Sequence, residues 1–188
     1  MRIVAGSRRG LKLEAPDGQI TRPTSERARE ALFNILSGTK YRDRLIGQPV
    51  ADLFAGTGAL GIEALSRGAG SCLFVEKDQA ALTALKKNLA RAKFGDAAKI
   101  QSGDALSALE SASRLGMVFA DPPYQDGVAE ATIDAILRYG LLAEEGLIIL
   151  QAHPKTRIKV SDRLNVLDDR RYGAARFLIL SLQSDAPA

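Results

Sequence analysis

The chain has 188 residues, 46% of them hydrophobic and 26% charged, with a formal net charge of +4; these values exclude an intrinsically disordered chain and fit one globular domain. Its single cysteine, Cys72, lies in the apolar run Ser71-Cys-Leu-Phe-Val75, which excludes an internal disulfide and points to a reducing compartment. No apolar stretch reaches the length of a membrane span and the N-terminus lacks a signal-peptide core, so a cytoplasmic monomer without membrane association is expected.

Charge is unevenly spread along the chain. Residues 1–44 hold ten Lys/Arg against five Asp/Glu, residues 45–154 nine against thirteen, and residues 155–176 seven against three. Basic ends around an acidic middle suggest a polyanionic partner approached by the ends, although ordinary solvated faces give the same counts.

In chain order, Arg2–Ala5 and Leu11–Glu14 flank Gly6-Ser-Arg-Arg-Gly10 and read as a glycine-rich hairpin. Thr24 then caps a helix carrying Ala28, Leu32, Ile35 and Leu36 on one face and ended by Gly38. From residue 49 the pattern alternates. Strands are expected at Val50–Phe54, Ser71–Glu76, Lys99–Gln101, Met117–Asp121 and Leu147–Gln151. Between them fall a helix to about Arg67, a helix capped by Asp78, another capped by Asp104, and one over Val128–Tyr139. Strands alternating with helices argue for a mostly parallel sheet covered on both faces. Arg163–Asp168 and Arg176–Leu182, joined at Tyr172-Gly173, suggest an antiparallel pair at one edge. The expected division is an N-terminal extension over 1–48 packed on the core, a main domain over 49–183, and a tail over 184–188.

Three motifs carry chemistry. In Asp52-Leu-Phe-Ala-Gly-Thr-Gly-Ala-Leu-Gly61, glycines after the first strand let backbone N–H groups approach a ligand, and Glu76, ending the next strand, can grip ribose hydroxyls. Gly56-x-Gly58-x-x-Gly61 also fits a dinucleotide-binding loop, and a nicotinamide dehydrogenase stays open on this motif alone. Asp52 weighs against it, because a carboxylate there would repel a pyrophosphate but receive the ammonium of a methionine moiety. Ser102-Gly-Asp-Ala105 follows the third strand and faces the same crevice; Asp104 can accept from an adenine amino group, or serve only as a helix cap. Asp121-Pro-Pro-Tyr124 ends the fourth strand. An exocyclic amine on a purine is a poor nucleophile, because its lone pair is delocalised into the ring. A carboxylate and the Pro122 carbonyl accepting its two N–H bonds would bias that nitrogen toward tetrahedral geometry and stabilise the charge that develops on attack. Pro123 stiffens the turn, and the Tyr124 ring offers a stacking surface for an extruded base.

With Asp52-Leu-Phe-Ala-Gly-Thr-Gly58 upstream, Asp121-Pro-Pro-Tyr124 resembles the class I methyltransferases that act on exocyclic or amide nitrogens. Ile3–Leu13, Thr21–Asn34 and Gly58–Gly68 narrow the likeness to the RsmD-like family of ribosomal RNA guanine-N2 methyltransferases, over residues 2 to about 182. The resemblance implies a Rossmann-like α/β fold, a seven-stranded sheet with a reversed last strand. It also implies S-adenosylmethionine as donor, S-adenosylhomocysteine as product, and a guanine of 16S rRNA as target, in a small ribosomal subunit or an assembly intermediate. Carried over by position, Asp52, Phe54, Gly56, Thr57, Gly58, Gly61, Glu76 and Lys77 would line the methionine and ribose, and Asp104 and Ala105 the adenine. Asp121, Pro122, Pro123 and Tyr124 would hold the target base, with Asp121 also at the cofactor, and Thr24 and Arg27 would fold over it. Arg8, Arg9, Lys12, Arg22 and Arg29 are candidates for RNA phosphates. Gln151 departs from the glutamate expected at the end of the fifth strand. No metal-ligand spacing is present, and His153 has no acid or cysteine partner in sequence. A DNA adenine-amino methyltransferase, a protein glutamine methyltransferase and a non-catalytic RNA-binding module of this fold remain as alternatives.

Overall fold

A computed structural model describes residues 1–16, 25–107, 114–123 and 125–183. One sheet contains β1 (Pro49–Leu53), β2 (Ser71–Glu76), β3 (Ala98–Ser102), β4 (Leu115–Ala120), β5 (Leu142–Ala152), β6 (Leu164–Tyr172) and β7 (Ala175–Leu182). The helices among the described residues are α1 (Glu26–Leu36), α2 (Ala59–Ser66), α3 (Gln79–Ala92) and α4 (Val128–Arg138). Strand order is β3-β2-β1-β4-β5-β7-β6; β1 to β5 run parallel, and β7 is antiparallel to both its neighbours. The expected seven-stranded, mostly parallel α/β sheet is present, with the reversed last strand inserted between β5 and β6.

Alternation along the strands divides the core into two layers, because successive side chains leave a strand on opposite faces. Val50, Phe74, Met117, Phe119, Leu147 and Ile149 pack with α1, α2 and α3, and Phe33 stacks on Phe119 with ring centroids 5.5 Å apart. Ala51, Val75, Val118, Ile148, Leu150 and Leu178 pack with Ile133 and Ile136 of α4. Every residue of β4 is buried, as a central strand covered on both faces requires.

One local expectation, the cap of α1, is corrected. The expected N-terminal hairpin is present in short form: the chain reverses through a 3-10 turn at Gly6–Arg8, and its arms are joined by the antiparallel bridge of Arg2 and Lys12 and by the Ile3 N–H to the Leu11 carbonyl and the Leu13 N–H to the Met1 carbonyl, each at 2.9 Å. Gly6 at φ 80° and Gly10 at φ 85° allow the tight reversal between the arms. The α1 cap is Ser25, whose hydroxyl accepts from the Ala28 N–H at 3.1 Å; Thr24 lies outside the described residues. Past Asp104 the described chain turns over 105–107, with the Leu106 N–H donating to the Asp104 carboxylate at 2.9 Å, and the helix expected beyond it falls on residues outside those described. An Asp side chain that captures a nearby backbone N–H in this way supports a turn as readily as a helix start.

Candidate active site

The chain leaves β1 through α2 toward β2 on one side, while β4 lies on the other side of β1, so a crevice opens beyond the carboxyl ends of β1 and β4. Asp52 is buried at the β1 end of this crevice, and its carboxylate accepts the Gly61 N–H of the first turn of α2 at 2.8 Å. That bond satisfies one of the donors that every helix start leaves open. The intervening loop is sharply bent. Phe54 sits at φ 61°, a conformation costly for a bulky side chain, and Gly58 starts α2 at φ 81°. A Cβ on Gly61 would lie 2.3 Å from the Phe74 ring and 2.7 Å from the Cys72 sulfur, so only glycine lets α2 lie this close to β2.

Glu76 closes the β2 side of the crevice. Its Oε2 accepts the Gly56 N–H at 2.7 Å, and its Oε1 accepts the Lys77 and Asp78 N–H groups, each at 2.8 Å. The carboxylate therefore pins the glycine loop against the end of β2. Thr57 lies on the same loop, and its carbonyl receives the Asn88 side chain at 3.0 Å. Gly103 N–H bonds the Glu76 carbonyl at 3.0 Å, bringing the Ser102–Ala105 turn alongside; there Lys77 faces Asp104 at 3.7 Å, and Ala105 is buried.

Asp121 follows β4 directly. The register Leu53↔Ala120 and Ala120↔Leu150 sets it between the ends of β1 and β5, level with Gln151. Asp52, Asp121 and Gln151 share the sheet face of Phe119 and Ile149 and form a polar ledge across three strands. Burial pushes the Asp121 carboxyl up to about 7. Burial also pushes Asp52 up to about 8; the charges of Asp121 and Glu76 add to the rise, and the Gly61 N–H opposes it. Pro122 is buried, and the turn is closed by the Gln125 N–H on the Pro123 carbonyl at 2.7 Å, a bond that does not use the Pro122 carbonyl. Tyr124 lies outside the described residues. Seven sequence-derived positions (Asp52, Gly56, Gly58, Gly61, Glu76, Asp104 and Asp121) thus converge on one end of the sheet.

The basic candidates do not share one place. Arg29 is corrected outright: it is 0% exposed, its Nε lies 3.6 Å from Glu63 and its Nη2 donates to the Arg2 carbonyl, so it cannot meet a phosphate. Arg8 places its guanidinium on the Ala92 and Lys93 carbonyls and over the Phe94 ring, capping the far end of α3. Arg9 and Lys12 are exposed. Arg27 is exposed on α1 and lines a groove of about 400 Å³ with Arg2, Arg9, Glu26 and Glu30. Arg22 lies outside the described residues.

Sequence reasoning missed Glu63. Fully buried on α2, it accepts the Val4 and Ala5 N–H groups at 2.8 and 3.1 Å and binds Arg67 at 2.8 Å. A signal for its partner was available: Arg29, Leu32, Phe33 and Leu36 fall on one helical stripe, so Arg29 belongs to the apolar face of α1.

The family model described as "Conserved hypothetical protein 95" matches residues 1–181. Ribosomal RNA small subunit methyltransferase D of Escherichia coli K12 is 40% identical over 152 residues, covering 81% of this chain and 74% of that one. The chain belongs to the RsmD-like family. Within it, the Haemophilus influenzae methyltransferase D is 31% identical over 181 residues, covering 94% of this chain and 91% of that one. The solved structure of yhhF from Escherichia coli superposes with a TM-score of 0.85 at 35% identity, covering 97% of this chain and 98% of that one. The family match takes in the N-terminal segment as well as the sheet. Among the described residues, no helix is long and apolar enough to cross a membrane, and no group of three or more His, Cys, Asp or Glu could hold a metal.

Proposed function

We propose that this chain methylates the exocyclic N2 amine of a guanine in 16S ribosomal RNA, using S-adenosylmethionine. The observation that carries the reading is Asp121: a carboxyl at the end of β4, beside Asp52, with its affinity for a proton raised into the neutral range.

The crevice fits a cationic ligand better than a dinucleotide. Two carboxyls that desolvation, and for Asp52 also the charge of Asp121, hold toward neutrality gain by meeting positive charge and lose by meeting a pyrophosphate. Asp52 and the Gly56–Gly58 loop would hold the methionine part, Glu76 the ribose, and Asp104 with the Ala105 N–H the adenine. When bound, the cofactor supplies an electrophilic methyl group on a sulfonium. The protein's own task is to present the amine. Asp121 accepts one N–H bond and the Pro122 carbonyl the other, which turns the nitrogen lone pair out of conjugation and toward the donor. With its pKa near 7, the Asp121 carboxylate can also take the proton that the amine sheds. Pro122 and Pro123 hold the turn rigid, so this alignment needs little reorganisation.

The test supplies labelled S-adenosylmethionine to undermethylated small subunits, to their stripped RNA and to duplex DNA. Label at guanine N2 in the subunit or its RNA is expected. Label in adenine of the duplex alone would replace the reading with a DNA enzyme. Asp121→Ala should lower turnover by roughly 10²–10³-fold while S-adenosylhomocysteine still binds; retained turnover would remove Asp121 from the mechanism.

A further inference from the structure

We infer that the outer face of α3, continued by the N-terminal turn, is the track on which the RNA backbone lies as it enters the crevice; this rests on the RNA substrate proposed above. The acidic middle of the chain is not uniformly acidic. Of the nine Lys/Arg in residues 45–154, five fall at Lys77, Lys86, Lys87, Arg91 and Lys93, and the one acid among residues 77–93 is Asp78, spent on capping α3. Lys86, Lys87, Arg91 and Lys93 are all exposed on one side of the helix, where the other exposed positions are Gln79, Ala80, Thr83 and Ala90. At 1.5 Å per residue this face extends the crevice rim at Lys77 by roughly 20 Å.

The N-terminal segment lengthens the same face. Arg8 is fixed to the Ala92 carbonyl and Glu14 to Asn88, so residues 8–14 run back along α3, with exposed Lys12 between these two anchor points. Glu14 reaches Lys87 at 3.8 Å and Arg91 at 3.1 Å, offsetting part of two charges, while Lys12, Lys86 and Lys93 make no ion pair among the described residues.

On α4 and on the β6–β7 edge the surface charges are mixed, while Lys155, Arg157 and Lys159 after β5 form a second, shorter exposed basic run. Exposed Asp134 and Arg138 alternate along α4, and on the β6–β7 edge Arg170 and Arg176 are tied to Asp168 and Asp169 at 2.7 and 2.8 Å. A helix face carrying four cations and no acid, opening onto a crevice lined by carboxylates, has the charge layout of a phosphate-backbone track that ends at a base-binding site.

The test compares two variants that remove equal charge. Lys86→Gln/Lys87→Gln/Lys93→Gln strips the α3 face; Arg114→Gln/Arg138→Gln/Arg163→Gln strips exposed arginines elsewhere. For the first, RNA affinity near 0.1 M salt should fall tenfold or more. The salt slope of log K should become shallower by about 0.7 for each single-strand phosphate that the variant no longer neutralises. The KM for RNA should rise with kcat preserved, and S-adenosylhomocysteine should bind as in the parent. The second variant should stay within about threefold of the parent in RNA affinity, by the same electrostatic reasoning. Equal losses in both variants would mean general attraction rather than a track and would overturn the inference. Weakened binding to the intact subunit with unchanged binding to its naked RNA would put a ribosomal protein on this face, and would also overturn it. If the parent methylates RNA normally while the first variant keeps its KM, this inference alone fails; if the parent methylates no RNA, the proposed function fails with it.

Discussion

Asp52 and Asp121 lie in one crevice, and the charge of Asp121 makes Asp52 harder to ionise. Burial is the main cause, and it raises them to about 8 and about 7 against about 4 in an unfolded chain. The folded protein therefore holds protons that the unfolded chain has lost. That contribution to stability is complete below about pH 4 and declines as pH rises through 7 and 8, so ionising the crevice loosens the empty enzyme. A ligand bringing positive charge reverses the preference and expels the protons. Calorimetry of S-adenosylmethionine binding at pH 6.5, repeated in buffers of different ionisation enthalpy, should show roughly one to two protons released per molecule bound. Asp52→Asn should release fewer. Binding without proton release would mean that these carboxyls do not face the cofactor's charges.

At the scale of elements, the alternating half of the chain was legible because burial writes itself into composition. The runs Cys72–Val75 and Leu147–Leu150 are apolar without interruption and proved to lie in interior strands of the sheet. Asp78 caps α3 as expected, its side chain accepting the Ala81 N–H at 2.8 Å. The failures have local causes. Thr24 has the chemistry of a cap, but Ser25 beside it has the same chemistry and caps α1. Arg29 has the chemistry of a phosphate ligand, and only its place on the apolar stripe of α1 marks it as buried. The three glycines after β1 look alike in sequence but do different work, with Gly61 serving the close packing of α2 on β2. Gly61→Ala should force α2 away from the Phe74 ring, at roughly 1–3 kcal/mol of stability. It should also stretch the 2.8 Å bond from the Gly61 N–H to Asp52 and weaken cofactor binding. Thermal unfolding and ligand affinity should fall together; an unchanged affinity would detach the glycine loop from the cofactor site.

Over the whole molecule, the question is what joins the first 48 residues to the sheet, and a charged cluster provides much of the answer. α1 and α2 run the same way, since Arg29 meets Glu63 while Arg67 meets Asn34 and Ser37 one to two turns further along. Glu63 is the hub: two backbone N–H groups of the N-terminal segment and two guanidinium groups converge on its carboxylate, which has no exposed surface. Such a cluster is poor evidence of net stability, because desolvating the ions offsets their attraction; burial already pulls the Arg29 pKa down against the opposing pull of Glu63. Removing one member has a clearer consequence. Glu63→Ala strands the Arg29 charge in the core together with the Val4 and Ala5 donors, a loss of about 3–5 kcal/mol. Arg29→Met/Glu63→Gln keeps one acceptor for the backbone and removes the Arg29 and Glu63 charges, so it should recover part of that loss, the Arg67 charge still lacking its carboxylate. If the N-terminal segment and the sheet unfold as one cooperative unit, denaturant melts of Glu63→Ala should show a single transition at lower midpoint, and hydrogen exchange at Val4 and Ala5 should track the global unfolding free energy. A split into two transitions, with the sheet retaining its parent midpoint, would instead make residues 1–48 a separable attachment. The α3 track would then borrow Lys12 from a part that can detach.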